Sequence, residues 1–203
     1  MDRQTLIHAP RRLDTPRLFL ETPAKAHAAA VHDSTNVSLP TLGFIAWAQS
    51  PWTLERAERF CEGGLKMVDA GDCLIFNAFR RDDGAFVGRI DLHTFDFEAP
   101  RAEIGYVGDV RQAGQGLMRE AVLAVVALGF ELGLARIEAI SEVDNQSALR
   151  FAEHVLGFTR EGRLHHRERN ARGELCDQMM FAAYAPAPPS APLAPLAGAG
   201  GSR

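Results

Sequence analysis

Residues 104–130 begin Ile104-Gly105-Tyr106-Val107-Gly108-Asp109-Val110 and continue Arg111-Gln112-Ala113-Gly114-Gln115-Gly116. Then come Leu117-Met118-Arg119-Glu120 and an apolar run that ends at Phe130. The first block reads as a short buried strand. The second, with a glycine on each side of Gln115, reads as a tight loop. From Leu117 the apolar residues Leu117, Ala121, Val125 and Leu128 recur at helical spacing, with Val122 and Val126 beside them. The unit is strand, glycine loop, helix.

That order has a chemical consequence. The first amides of a helix lack intrahelical acceptors, and the helix dipole puts partial positive charge at the same end. Glycines ahead of such a helix let the backbone approach a ligand closely. Together they make an anion site, most often for phosphate, with Arg111 and Arg119 available as charge at its rim. A plain β-to-α turn would also use glycines here, so the loop alone leaves both readings open. Neither G-x-x-x-x-G-K-[ST] nor G-x-G-x-x-G with a later acidic ribose ligand is present.

Arg111-x-x-Gly114-x-Gly116 resembles the pyrophosphate-binding motif of the GNAT superfamily, the acyl-CoA-dependent N-acyltransferases. Three further stretches resemble the branch that contains the ribosomal-protein N-acetyltransferases. They are Glu103-Ile104-Gly105-Tyr106, Leu117-Met118-Arg119-Glu120-Ala121 and the opening Leu13-Asp14-Thr15-Pro16-Arg17-Leu18. A second signature follows at the expected place: Asn145, Arg150, Glu153 and then Gly157-Phe158 resemble the family segment Asn-x-x-Ser-x-Arg-x-x-Glu-x-x-Gly-Phe. This chain departs from it in two ways. The family Ser falls at Ala148, with Ser147 one place early, and one extra residue precedes Gly157.

The resemblance implies transfer of an acetyl group from acetyl-CoA to a primary amine by direct attack in a ternary complex. It places the donor against Tyr106, Val107, Gly108, Arg111, Gln112, Ala113, Gly114, Gln115, Gly116, Leu117 and Met118. Asn145 inherits the hydrogen bond to the pantetheine arm. The Val107 amide becomes the donor that polarises the thioester carbonyl, and Val107 stands where relatives often carry Trp. Ser147 is the nearest hydroxyl to protonate the leaving thiolate, since the position some relatives give to Tyr is Ala152; it can equally serve as a helix cap. Glu103 shares a strand face with Gly105 and Val107 and is a candidate base, or else a solvated strand-end acid. Asp109 is a second candidate base, or else caps the turn. A non-catalytic acyl-CoA sensor on the same fold is the alternative, and succinyl-CoA is another conceivable donor. The acceptor is a protein N-terminus or a small amine, and the resemblance leaves a homodimer open.

Composition bounds these expectations. At 203 residues the chain suits one domain with an ample core. A net charge of −4 argues against a general nucleic-acid binder. Cys61, Cys73 and Cys176 lie far apart, as reduced thiols do in a cytoplasm. No apolar run reaches the roughly 18 residues of a membrane span, the N-terminus lacks a signal-peptide core, and no His/Cys/Asp cluster has metal-ligand spacing. A soluble cytoplasmic protein without a metal is expected.

The remaining elements follow in chain order. Residues 1–12 form an extension without a clear element. Thr15-Pro16-Arg17-Leu18-Phe19-Leu20-Glu21 is a first strand and Ala24 to His32 a helix. The pattern dissolves from Ser34 to Thr53, where Phe44, Trp47 and Trp52 either line an acceptor pocket or plug the edge of the core. Thr53 caps a second helix that runs toward Val68, weakened at Gly63-Gly64. Residues 73–79 and 86–92 make a hairpin about Asp82-Asp83-Gly84, and 102–110 a third antiparallel strand. Arg136 to Ser141 is a strand parallel to it at the Tyr106/Ile140 step. Residues 145–155 form a helix, and 159–169 with 175–184 a closing hairpin whose Arg163, His165 and neighbours read as a solvated charged face, or else as a cluster that receives an acidic acceptor peptide. The fold class is α/β (α+β): a mixed, mostly antiparallel sheet of about seven strands with a splayed parallel pair, flanked by about four helices. One domain spans 13–184, and an Ala/Pro/Gly-rich disordered tail follows from 185 to 203.

Overall fold

The computed structural model describes residues 1–186, so most of the expected tail, 187–203, lies outside the described residues. Eight strands form one sheet: β1 (Arg12–Asp14), β2 (Leu18–Glu21), β3 (Leu74–Arg80), β4 (Phe86–Asp96), β5 (Arg101–Gly108), β6 (Arg136–Glu142), β7 (Thr159–Arg169) and β8 (Leu175–Tyr184). Their spatial order is β1-β2-β3-β4-β5-β6-β8-β7, antiparallel throughout except β5–β6. The helices are α1 (Arg3–Ile7), α2 (Ala28–Ser38), α3 (Leu54–Asp69), α4 (Leu117–Glu131) and α5 (Gln146–Arg150).

α4 lies on one face, where period-two residues of the strands meet its apolar stripe. Ile90, Leu92, Ala102 and Ile104 pack under Ala121, Val122 and Val125, all buried. α2 and α3 cover the other face, where Ala28 and Val31 of α2 pack with Ala57 and Cys61 of α3 and with Trp52, and, further along, Val68 of α3 packs with Cys73 and Ile75. Thr53 caps α3 as expected, accepting from the Arg56 amide, and the helix runs unbroken through Gly63-Gly64.

Four local expectations need correction. Residues 1–12 are ordered: Asp2 and Thr5 form a capping box that starts α1, and Arg12, bonded to Asp14 and Glu21, begins the edge strand β1. These short, polar elements carry no hydrophobic period, which is why the strand and helix counts rise to eight and five. Helix α2 continues to Ser38 because Ser34, Thr35 and Ser38 are buried against the rest of the protein, where apolar residues would have marked a helix face. The β5–β6 pairing stops at Glu103/Glu138, short of the Tyr106/Ile140 step. Beyond it β5 stays with β4 as far as Gly108 and β6 stays with β8 as far as Glu142, so the two parallel strands diverge. Finally, α5 passes into a π-helical turn over Phe151–Val155. A π-turn takes up one residue more than an α-turn, and it absorbs the extra residue that precedes Gly157.

Glu120, in the first turn of α4, ties the opening of the sheet to the glycine loop. Its carboxylate accepts from Thr15 Oγ1 at 2.6 Å, the Arg17 amide at 2.9 Å and Arg17 Nε at 2.6 Å. Burial opposes its ionisation, but the bonds from Thr15 and Arg17 and the charge of Arg17 outweigh it and hold the carboxyl below its ordinary 4.5. The folded chain therefore holds this proton less tightly than the unfolded one. The carboxylate's contribution is complete above about pH 4.5 and is lost as the pH falls through the folded-state value. Glu120→Gln is expected to lower stability by about 2 kcal/mol at pH 7, with the gap to the parent closing in acid; urea midpoints at pH 7 and pH 3 check this.

Candidate active site

The glycine loop is built to leave its amides unused. Gly114 and Gly116 adopt φ of 76° and 72°, and Gly116 occupies the N-cap of α4 without a side chain that could satisfy the helix amides. Among the described residues, the amides of Gly114, Gln115, Gly116, Leu117, Met118 and Arg119 have no backbone acceptor. Arg17 Nη1 takes the Gln115 carbonyl at 2.9 Å, which turns that oxygen to the back of the loop. The amides and the dipole of α4 border a cavity of about 580 Å³ that Gly108, Gln112, Ala113, Gly114, Gly116, Leu117 and Met118 line, with Arg119, Ser147 and Phe151.

Arg111 does not serve this cavity. Its guanidinium lies 2.6 Å from Asp109 Oδ2 and 2.7 Å from Asp33 Oδ2, so its charge clamps the loop to α2. Asp109 caps the turn as expected, accepting from the Arg111 amide at 2.8 Å. Burial opposes its ionisation, yet the bonds from Arg111 hold its carboxyl below the ordinary range. Arg119, the other rim candidate, donates to the Val155 carbonyl and still borders the cavity. Arg17, not singled out from the sequence, is the cation that meets the loop itself; its position three residues ahead of Leu20 carried no loop signal.

A second cavity of about 250 Å³ opens from the first, sharing Gly108, Met118, Ser147 and Phe151 with it and adding Tyr106, Val107, Asn145 and Phe44. It leads into a cleft of about 140 Å³ between the diverging strands, lined by Ile104, Gly105, Tyr106, Ile140, Ser141 and Asn145. The three form one trough from the glycine loop to the strand gap. The backbone of β5 faces that gap in a defined phase. The Asp109 amide donates to Val87 O on β4 at 2.9 Å, and Pro100 O accepts the Ala135 amide on the β6 side at 2.7 Å. Bonding directions alternate along a strand, so with this register odd-numbered residues bond toward β4 and even-numbered ones toward β6. The Val107 amide thus points at Arg89 on β4, contrary to its expected role at the thioester. The Tyr106 and Gly108 amides point into the gap instead. A one-residue difference in phase is invisible in the sequence.

Asn145 does cap α5, its Oδ1 accepting from the Ala148 amide at 3.2 Å, and it also borders the trough. Ser147 makes no capping bond; it is exposed and borders the two larger cavities. Tyr106 stacks on Phe151 with ring centroids 5.2 Å apart, and burial pushes its hydroxyl up to about 12. Glu103 pairs with His93, two residue positions from Val107 on the same face, and is not among the residues that line the trough. Asp91 stands nearer, opposite Gly105, and burial pushes its carboxyl upward despite His93 and Arg89. The tryptophans divide: Trp52 is 4% exposed and belongs to the core, whereas Trp47 lines a small chamber beside Val107 and Phe44 lines the trough. On the closing hairpin the cations pair locally, Arg163 and His165 with Asp177 and Arg160 with Glu153, as a charged surface would.

A family model for the "Acetyltransferase (GNAT) domain" matches residues 17–159. No curated protein matches the chain. Among solved structures, the chain is similar to the microcin C7 self-immunity acetyltransferase MccE in complex with acetyl-CoA and AMP. That match has a TM-score of 0.76 and 20% identity, covering 84% of this chain and 93% of that one. It is also similar to RimL, the ribosomal L7/L12 α-N-protein acetyltransferase, in complex with coenzyme A (TM-score 0.74, 23% identity, 84% and 95% covered). A third is a putative ribosomal-protein-serine acetyltransferase from Vibrio cholerae (TM-score 0.71, 23% identity, 85% and 97% covered). With strand divergence, glycine loop and family model in agreement, the chain belongs to the GNAT acetyltransferase family and is an acyl-CoA-dependent N-acetyltransferase.

Proposed function

We propose that the chain transfers an acetyl group from acetyl-CoA to a primary amine by direct attack within a ternary complex. The continuous trough carries this reading: it joins unpartnered loop amides at one end to an unpaired strand edge at the other. The loop amides and α4 dipole hold the pyrophosphate. The free backbone of Tyr106 and the second amide function of Asn145 hold the pantetheine arm as an added strand. The Tyr106 or Gly108 amide stabilises the developing oxyanion, a role that needs a donor fixed before the reaction. Asp91 and Glu103 are the carboxylates on the acceptor face that can receive the ammonium proton.

Ser147 gives its proton to the departing thiolate. Ser147→Ala is expected to lower kcat about 100-fold while leaving acetyl-CoA binding unchanged; steady-state kinetics and calorimetry together check the split. No homology fixes the acceptor, which is a protein N-terminus or a small amine. Three free cysteines and the absence, among the described residues, of a helix long and apolar enough to cross a membrane accord with a cytoplasmic enzyme. The test is release of CoA thiol from acetyl-CoA across a panel of amines. Amine-dependent release supports the transferase. Tight acetyl-CoA binding with no release from any amine would instead identify a sensor.

A further inference from the structure

Beside Val107 lies a chamber of about 20 Å³ lined by Ser34, Thr35, Ser38, Trp47, Phe60 and Arg89. Leu42, Val107 and Gly108 border both spaces, which puts the chamber next to the part of the trough where an acceptor would meet the thioester. Arg89 is directly across the ladder from Val107. It is half-buried on the sheet face covered by α2 and α3, and its guanidinium carbon sits 4.3 Å from the centroid of the Phe60 ring.

Most arginines that anchor this protein have a carboxylate: Arg17 has Glu120, Arg111 has Asp109, Arg136 has Glu138. Among the described residues, Arg89 has neither a carboxylate within 4.0 Å nor a side-chain hydrogen-bond acceptor. Asp91, two residues along, is its nearest acidic neighbour, is bridged only to His93, and is itself driven toward the neutral form by burial. A guanidinium shielded from water and left without an anion is costly unless a ligand completes it. The aromatic ring beneath it offsets part of that cost and holds the fork in place.

We infer that Arg89 is a specificity-determining residue for the acceptor, and that the acceptor is a small amine carrying a carboxylate. The guanidinium's planar fork matches a carboxylate with two parallel bonds. A chamber of about 20 Å³ takes a group little larger than a water, so a carboxylate is near the largest anion it admits, and a ring or sugar is excluded. The hydroxyl of Thr35 lines the same chamber, and Trp47 closes the wall. Anchored there, the acceptor would present its amine past Val107 to the trough. This inference rests on the acetyltransferase reading above.

The experiment compares CoA-thiol release with matched acceptors, each a small amino acid and its carboxamide, for the wild type, Arg89→Met and Arg89→Lys. The wild type is expected to prefer the carboxylate member. In Arg89→Met its KM should rise about 30-fold, with kcat and the carboxamide's KM little changed, while Arg89→Lys recovers part of the preference. In the ligand-free protein Arg89→Met should keep or raise the melting temperature, since it removes an uncompensated charge; a lower melting temperature in both variants would make Arg89 a structural strut and overturn the inference. So would a wild type that does not discriminate within the pairs, or one that acetylates only peptide N-termini; in both cases the transferase reading survives. Thiol release from no amine, with acetyl-CoA bound, removes the transferase reading and the inference together.

Discussion

Gly114→Glu is expected to lower acetyl-CoA affinity by at least about 100-fold in calorimetry, with the fold retained by circular dichroism. The position has no heavy atom within 4 Å of where a Cβ would stand, so the new side chain meets open space rather than the core. What it meets electrically is the mouth of the 580 Å³ cavity, where unpartnered amides and the α4 dipole favour negative charge. A fixed carboxylate there competes with pyrophosphate for the same donors. Any residue but glycine at φ of 76° also carries strain of about 1 kcal/mol. Gly114→Ala shares that strain without the charge and is expected to bind acetyl-CoA within a few-fold of wild type. Undiminished binding by the Glu variant would return the loop to a plain structural turn.

Gly88→Ala is expected to be the most damaging single-methyl change in the site, costing about 3 kcal/mol of stability and, with it, acetyl-CoA binding at ordinary temperature. A Cβ at Gly88 would stand 2.5 Å from Met118 Sδ, 2.6 Å from the Val107 carbonyl oxygen and 3.0 Å from the Gly108 Cα. Met118 has a flexible end and can move. The Val107 and Gly108 backbone cannot move without opening the β4–β5 ladder at the point where it sets the phase of the Tyr106 and Gly108 amides. Chemical denaturation measures the loss directly. A variant as stable as the wild type would show that the two strands have slack there, and that the position of the glycine loop does not depend on this close approach.

Much of the site was legible because its parts are local. Gly114 and Gly116 announce a positive-φ loop, and the spacing from Leu117 to Leu128 announces the helix behind it; each property depends on neighbours in the chain. The same holds for the Thr53 cap and the Asp82-Asp83-Gly84 turn. What failed was not local. Arg111 reads as free to meet a phosphate, but Asp33, on a helix far earlier in the chain, joins Asp109 in taking its charge. Arg89 and Asp91 alternate with Ile90 and Leu92 like the solvated face of a strand, and only the docking of α2 and α3 turns that face inward. Helix α2 runs past the end that its hydrophobic pattern marks because its buried face carries Ser34, Thr35 and Ser38.

By itself, the sequence determined the strand–loop–helix unit, the mixed sheet with a parallel step, and an anion-binding helix start, since periodicity, glycine and the free helix amides act over a few residues. The tertiary structure decided which amides of β5 face the gap, which arginines keep their charge available, and how the π-turn at Phe151–Val155 absorbs the extra residue. Those outcomes depend on register between strands and on partners distant in the chain. Both are set when whole elements pack, because a shift of one residue exchanges every inward group for an outward one.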